Sequence, residues 1–442
     1  MASRRIRSAL SLLFATPATA LAFEAVDTIP YPSSAMIPAI TAAPSSNASP
    51  PSNNFPAWPR DEVRPTTLWA EIGLMYDDNP FRISDAVSSS AQLGSVKKSD
   101  TVMRYGGGFS TEQRIVGRQS IFLEARGDYY DYDRFDQLDN FAYGLLGEWR
   151  WQAGNQLAGA LGAARVQRLA DPAEVGRPVK EEVIADRAYL TGAYQFAADW
   201  RLRAGLAGDQ ATRERPGLPE IETSAQTVTV GIDYITQLQN SIGLEARYSK
   251  GDAPVSELVD PAGELVGNEY KEREVAAVAS YGATSQIRLN GRLGYTERTY
   301  TELTGRDFSG TTWRVGIEWL PGNKTILAFE TYNSPQSVID TTAAHVVVRG
   351  SAFTASWAPT AKWVATGRIF EERREGVGTP EAVVLGAPVR DDTVTGARVG
   401  LGWEPVRFAQ LGVGFQYVKR TSSEVLREYD NKIASINLRV RF

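Results

Sequence analysis

The sequence predicts an all-β fold: a transmembrane, antiparallel, up-and-down β-barrel of about eighteen strands, with a count of sixteen left open by a few weak segments. Three observations predict it. The chain ends in a strictly alternating segment, with Ile436, Leu438, Val440 and Phe442 on one face and Asn437, Arg439 and Arg441 on the other. From Thr66 onward such segments recur, each about ten residues long, the length a tilted strand needs to cross a bilayer. The connections between them alternate between short and long, as in outer-membrane barrels with short periplasmic turns and long outer loops. In hydrocarbon every backbone N–H and C=O must be paired, so a sheet spans a membrane only by closing on itself.

The N-terminus comes first in the chain. Arg4, Arg5 and Arg7 precede a short apolar run from Ala9 to Ala15, and Ala20-Leu21-Ala22 offers a small-residue cleavage site, so residues 1–22 read as a secretory signal. The Pro/Ala/Ser/Asn-rich stretch 23–65 lacks periodicity and apolar content, and reads as a flexible periplasmic extension. Residues 66–442 form the barrel. Within it, Phe141, Tyr143, Leu145, Gly147, Trp149 and Trp151 make one outward row, with Glu148 and Arg150 facing in. Ile287, Leu289, Leu293 and Tyr295 repeat the pattern, as do Trp313, Val315, Ile317 and Trp319.

Short turns are expected around Gly117, Gly154, Ala198, Leu238, Ala283, Gly322, Thr360 and Val406. Long polar loops are expected at about 80–100, 131–140, 170–185, 213–223, 250–269, 300–310, 333–344, 374–391 and 421–430. The Gly106-Gly107-Gly108 run falls inside a strand, where it reads as a bend.

Composition narrows the chemistry. The 442 residues include no Cys and one His, with a formal net charge of −5. That excludes disulfides, thiolate metal sites and a cysteine nucleophile. No stretch beyond the signal is long and apolar enough for a transmembrane helix. No metal cluster, phosphate loop or nucleotide fingerprint is present, so neither cofactor nor nucleic acid is expected. His345 with Asp340 five residues earlier is the one pair that a rim hydrolase would need, and it is unpatterned; the expectation is a protein that is not an enzyme.

Face assignment by alternation makes the lumen charged. Arg104, Arg126, Arg150, Arg187, Arg201, Arg203, Arg247, Arg288, Arg292, Arg314, Arg368, Arg398, Arg439 and Arg441 are read as inward. Against them stand Glu71, Glu112, Glu124, Asp128, Glu148, Asp233, Glu245, Glu274 and Glu318, roughly fourteen cations to nine anions. Two roles follow for these arginines: ion pairs that hold the wall, or contacts for an anionic substrate. The loops are read as acidic, through Glu181, Glu182, Asp260, Glu264, Asp391 and Asp392. Inward aromatics such as Phe122 and Tyr189 are read as packing residues or as a sugar-stacking track.

A set of short motifs is more specific. Tyr76-Asp77-Asp78-Asn79-Pro80-Phe81-Arg82 closes the first strand, followed by Gly117-Arg118-Gln119, Tyr130 to Phe135, Leu138 to Tyr143, and Trp149 to Asn155. Over residues 69–215 this ordering resembles the outer-membrane β-barrel family encoded with exopolysaccharide clusters, the EpsL-like, exosortase-associated members of the putative beta-barrel porin 2 group. The resemblance implies a role in making or exporting exopolysaccharide and supplies no catalytic residues. The expected partners are outer-membrane lipid, the polysaccharide and periplasmic exopolysaccharide-assembly proteins. The function expected from the sequence is a passive, Arg-lined pore for an acidic polysaccharide. A non-conducting scaffold and an uptake porin for acidic oligosaccharides are the alternatives.

Overall fold

The computed structural model describes residues 66–86, 93, 97–175, 178–217, 220–238, 240–252, 269–301, 307–336, 343–378 and 391–442. Residues 1–65, the expected signal and extension, lie outside the described residues. The strands are β1 (Thr67–Asp77), β2 (Asp100–Val116), β3 (Gln119–Tyr132), β4 (Asn140–Ala153), β5 (Leu157–Leu169), β6 (Glu182–Ala197), β7 (Trp200–Glu214), β8 (Ile221–Ile235) and β9 (Ser241–Asp252). They continue as β10 (Glu269–Gly282), β11 (Ile287–Tyr300), β12 (Phe308–Gly322), β13 (Thr325–Gln336), β14 (Ala343–Thr360), β15 (Trp363–Gly378), β16 (Asp391–Val406), β17 (Ala409–Ser422) and β18 (Tyr429–Arg441).

All form one 18-stranded sheet in which each strand pairs with its chain neighbours and β1 also pairs with β18. Every pairing is antiparallel, with Trp69 opposite Arg441 and Asp77 opposite Ile433 at the closing seam. The Phe442 amide donates to the Leu68 carbonyl at 2.8 Å, so the terminal aromatic completes the ladder. No edge is left to satisfy, as a membrane-spanning sheet requires.

The expected eighteen strands are present and the short turns fall between them as expected, while strand takes up parts of the expected long loops, such as 333–336 and 374–378. The strands, however, run from 11 residues in β1 to 18 in β14, longer than the expected ten. Their loop-side ends extend past the apolar band, carrying outward charges such as Lys271, Arg273 and Glu297.

Outward positions form the lipid-facing surface: Ile72, Leu74, Leu145, Leu206, Val230, Leu293, Ile317, Ile436 and Leu438 are all exposed. Aromatic residues stand at its turn-side border, with Trp363 stacked on Trp403 at 5.6 Å and Trp200 edge-on to Tyr234 at 5.4 Å. Tyr76, Tyr129 and Phe141 mark the loop-side border. These apolar and aromatic bands are the surface an outer-membrane barrel presents to lipid. The barrel is an outer-membrane protein.

The Gly106–Gly108 run lies within β2, in unbroken register with β1 and β3. Its glycines provide space: a Cβ on Gly108 would lie 2.8 Å from the Trp69 ring, and one on Gly106 would collide with the Asp128 carboxylate. Positive φ at Gly117 (56°) and Gly154 (63°) accounts for glycine at two of the short turns.

Candidate functional site in the barrel lumen

The lumen is built by the residues that alternate away from lipid, and all the expected inward arginines do face it. Most are tied to carboxylates. Arg104 sits 2.9 Å from Glu71 and 2.7 Å from Asp128, and Arg126 is 2.8 Å from the same Asp128. Arg439 binds Glu71 at 2.6 Å, with Asn437 donating to it at 3.2 Å, so one buried network joins β18, β1, β2 and β3 across the seam.

A second network covers β7 to β12. Arg201 and Arg203 each reach Asp233 at 2.8 Å, and Arg203 reaches Glu245 at 2.8 Å. Arg292 bridges Glu245 (2.6 Å) and Glu274 (2.7 Å), while Arg247 also pairs with Glu274. Arg150 pairs with Glu112 at 3.2 Å and with Glu148; Arg187 lies 3.6 Å from Asp209, Arg314 3.3 Å from Glu330 and Arg288 4.0 Å from Glu318. Arg441 donates to Gln410 at 3.0 Å.

The expected cation excess therefore shrinks. The alternation, applied over ten-residue windows, missed inward carboxylates: Glu330 in the middle of β13, and Asp209, Glu272, Glu372 and Asp392 nearer the loop side. It missed their partners too. Arg298, fully buried, pairs with Glu272 at 2.6 Å over the Tyr270 ring, and Arg374 holds Glu372 at 2.6 Å. Asp392 is corrected from acidic loop to lumen: it is the second residue of β16 and forms a buried pair with Arg420. Glu181 is likewise buried, 2.6 Å from Arg213, while Asp260 and Glu264 lie outside the described residues. The signal that would have found these residues was the alternation itself, applied along the whole of each strand. Phe122 lies under Arg150 (5.2 Å) and Tyr189 donates to Glu148, so both are wall packing.

Segments beyond the strands fold into the loop-side mouth. Phe81 is 1% exposed among Met75, Val102, Tyr130, Tyr132 and Ile433, all on the inner face, and meets Phe135 edge-on at 5.0 Å. The motif residues hold this segment down. Arg82 donates to Asp77 at 3.0 Å, Asn431 also donates to Asp77 at 2.6 Å, and the Asn79 side chain donates to the carbonyls of Ile83 (2.9 Å) and Asp430 (3.3 Å). Arg82 adopts a left-handed φ of 54°, which the buried ion pair maintains. Asp77, Asp78, Asn79, Phe81 and Arg82 thus form a structural clasp on the mouth. From another side, the helical turn Pro172–Val175 reaches across to β17, where Arg420 donates to the Ala173 carbonyl at 3.0 Å.

Of the loops expected to fold inward, residues 78–86 do so; 87–92 and 94–96, with 253–268 and 379–390, lie outside the described residues. His345 lies in β14 opposite Val377, and Asp340 is outside the described residues. Among the described residues no cluster of His, Asp or Glu suits a metal ion.

Asp78, just past β1, accepts from the Lys432 amide at 2.6 Å. Burial, with Asp77 and Asp430 nearby, pushes its carboxyl above the usual carboxylate range. A raised carboxyl stabilises the closed mouth while protonated and loses that contribution as pH rises through its folded value. Asp78→Asn should therefore slow Lys432 amide exchange at neutral pH and leave it unchanged in acid. Faster exchange at neutral pH would reverse the sign.

No protein-family model matches the chain, and no curated protein sequence does. Solved structures match at the level of the barrel. The chain is similar to OpdK of Pseudomonas aeruginosa, solved with vanillate: 11% identity, TM-score 0.48, covering 85% of this chain and 99% of that one. A BenF-like porin from Pseudomonas fluorescens Pf-5 matches at 9% identity and TM-score 0.45, covering 85% of this chain and 99% of that one. The siderophore receptor PirA from Pseudomonas aeruginosa matches at 9% identity and TM-score 0.44, covering 86% of this chain and 81% of that one.

Proposed function

We propose that the protein is an outer-membrane channel that lets an exopolysaccharide leave the cell as a single extended, acidic chain. The observation that carries this reading is the closed eighteen-stranded wall with a polar, charged inner face. Barrels of sixteen to eighteen strands leave an aqueous channel. The exopolysaccharide assignment rests on the ordered motifs from Tyr76 to Asn155 and their resemblance to the EpsL-like family. The inward arginines are the contacts proposed for the polymer's acidic groups, and periplasmic assembly proteins are the proposed partners.

A second reading is a scaffold that anchors the assembly without conducting. The inward-folded clasp and the turn at Pro172–Val175 favour it, because both narrow the mouth.

The test is single-channel current from the refolded mature protein in a planar bilayer. Stable conductance interrupted by an acidic but not by a neutral oligosaccharide supports the channel. Silence from a folded barrel supports the scaffold, for which deleting residues 23–65 should abolish polymer secretion without changing current.

Three of the inward arginines, Arg126, Arg150 and Arg288, are poor reporters of selectivity because each lies beside a carboxylate. R126E/R150E/R288E would be expected to invert ion selectivity if those arginines were unpaired. Each substitution instead sets a glutamate beside Asp128, beside Glu148 and Glu112, or beside Glu318. The triple variant is expected to lose refolding yield, read as the heat-modifiable band on a gel. Parental yield with inverted selectivity would restore the simpler view.

A further inference from the structure

Three consecutive short turns share a sequence repeat. It reads Trp319-Leu320-Pro321-Gly322-Asn323-Lys324, then Trp357-Ala358-Pro359-Thr360-Ala361-Lys362, and then, one residue shorter, Trp403-Glu404-Pro405-Val406-Arg407. These turns join β12 to β13, β14 to β15 and β16 to β17, so six adjacent strands carry them. The other five short turns contain no proline. The three are also built alike. In each, the cross-strand register slips just past the Trp, between Trp319 and Gly322, Trp357 and Thr360, and Trp403 and Val406. Proline has no N–H to give to a ladder, so it fits at such an irregular strand end.

The cation that ends each repeat is tied to the next turn of the arc. Lys324 Nζ donates to the Pro359 carbonyl at 2.6 Å, and Lys362 Nζ to the Pro405 carbonyl at 3.0 Å. In return the Ala358 and Glu404 amides donate to the Lys324 and Lys362 carbonyls, at 2.7 and 2.8 Å. Each ammonium is thereby held against the residue two positions past an exposed, lipid-facing Trp, Trp357 or Trp403. A carbonyl takes one of the three N–H donors of an ammonium and leaves its charge uncancelled. Lys324, Lys362 and Arg407 are all exposed, and none of them forms an ion pair among the described residues, in contrast to most lumen arginines. Glu404 is the sole carboxylate within the repeats.

We propose that the arc of turns from β12 to β17 binds anionic phospholipid headgroups of the leaflet on the short-turn side, with Lys324, Lys362 and Arg407 as the phosphate contacts. Trp marks the headgroup level at a membrane surface, and cations at that level attract anionic lipid. Trp319, Trp357 and Trp403 are exposed on the lipid-facing surface, so each repeat sets one ring at the border and one cation just beyond it. A polymer entering the lumen would need the cations but not these rings, which point away from the lumen; the pairing of the two favours lipid. The proposal requires only a barrel in the outer membrane and is independent of the channel reading.

The test uses the refolded mature protein in lipid nanodiscs doped with brominated lipid, whose bromine quenches nearby Trp fluorescence. At equal doping, brominated phosphatidylglycerol should quench the parent more strongly than brominated phosphatidylcholine, and high salt should weaken that preference. In K324Q/K362Q/R407Q the preference should fall by about fivefold or more, since one Lys or Arg near an anionic surface supplies about that factor. K324R/K362R/R407K keeps every charge and should keep the preference. R118Q removes a turn cation outside the arc and should leave it unchanged. The heat-modifiable band on a gel checks folding, and K362Q alone is read in the same way if the triple variant does not refold. Equal quenching of the parent by both lipids overturns the proposal, as does an undiminished preference in the folded variant. A loss in R118Q as large as in the triple variant also overturns it, because net charge rather than the arc would then be responsible. If K324Q/K362Q/R407Q loses affinity for labelled trigalacturonate while its lipid preference is unchanged, the arc serves an acidic polymer and the lipid site is overturned.

Discussion

Arg104→Ala is expected to destabilise the barrel by about 3 kcal/mol, the lower end of what breaking a buried ion pair removes. Arg104 is 3% exposed and its guanidinium joins Glu71 of β1 to Asp128 of β3 from its own place on β2. Removing it leaves two buried carboxylates with less compensation, although Arg439 still holds Glu71 and Arg126 still holds Asp128. Those remaining partners are why the loss sits at the low end. The measurement is the urea midpoint of the barrel refolded in lipid vesicles. Arg104→Ala combined with Asp128→Asn should recover part of the loss, because the second change removes one stranded charge. A loss below about 1 kcal/mol, the range of exposed pairs, would mean that water already screens this network.

Phe81→Ala should release the mouth rather than the barrel. Its ring is buried among five inner-wall side chains and Phe135, and truncating a buried Phe typically removes about 3–5 kcal/mol. The segment 78–86 can open while the sheet stays closed, so the loss appears as local opening. Amide exchange at Ile83, whose N–H donates to the Asn79 side chain at 3.1 Å, should rise by about a hundredfold or more, given tenfold per 1.4 kcal/mol. The urea midpoint should move little, and conductance should increase if the clasp restricts the pore. Unchanged exchange at Ile83 would show that the polar clasp through Asp77, Asn79 and Arg82 holds the segment without the ring.

The motif from Asp77 to Arg82 shows where sequence reasoning stops. Its spacing marked it as special, and the sequence offered it as a family signature at the end of the first strand. What it does depends on Asn431 and Asp430, more than three hundred residues away, which reach it only because β18 closes onto β1. The arginines divide the same way. That Arg104, Arg203 and Arg368 all face inward follows from alternation alone. That the first two are neutralised while the third faces Arg398 depends on cross-strand register.

The sequence by itself pointed to about eighteen strands, the alternation of short turns and long loops, the lipid-facing band and the inward face of the fourteen arginines. These are local properties, set by a side-chain period of two and by runs of turn residues. Only the tertiary structure decided which charges meet, that strands run past the bilayer to bring Arg298 onto Glu272, and that residues 78–86 turn back into the mouth. Those depend on register and closure, which bring together residues far apart in the chain, and a shift of one position would turn every inward charge toward lipid.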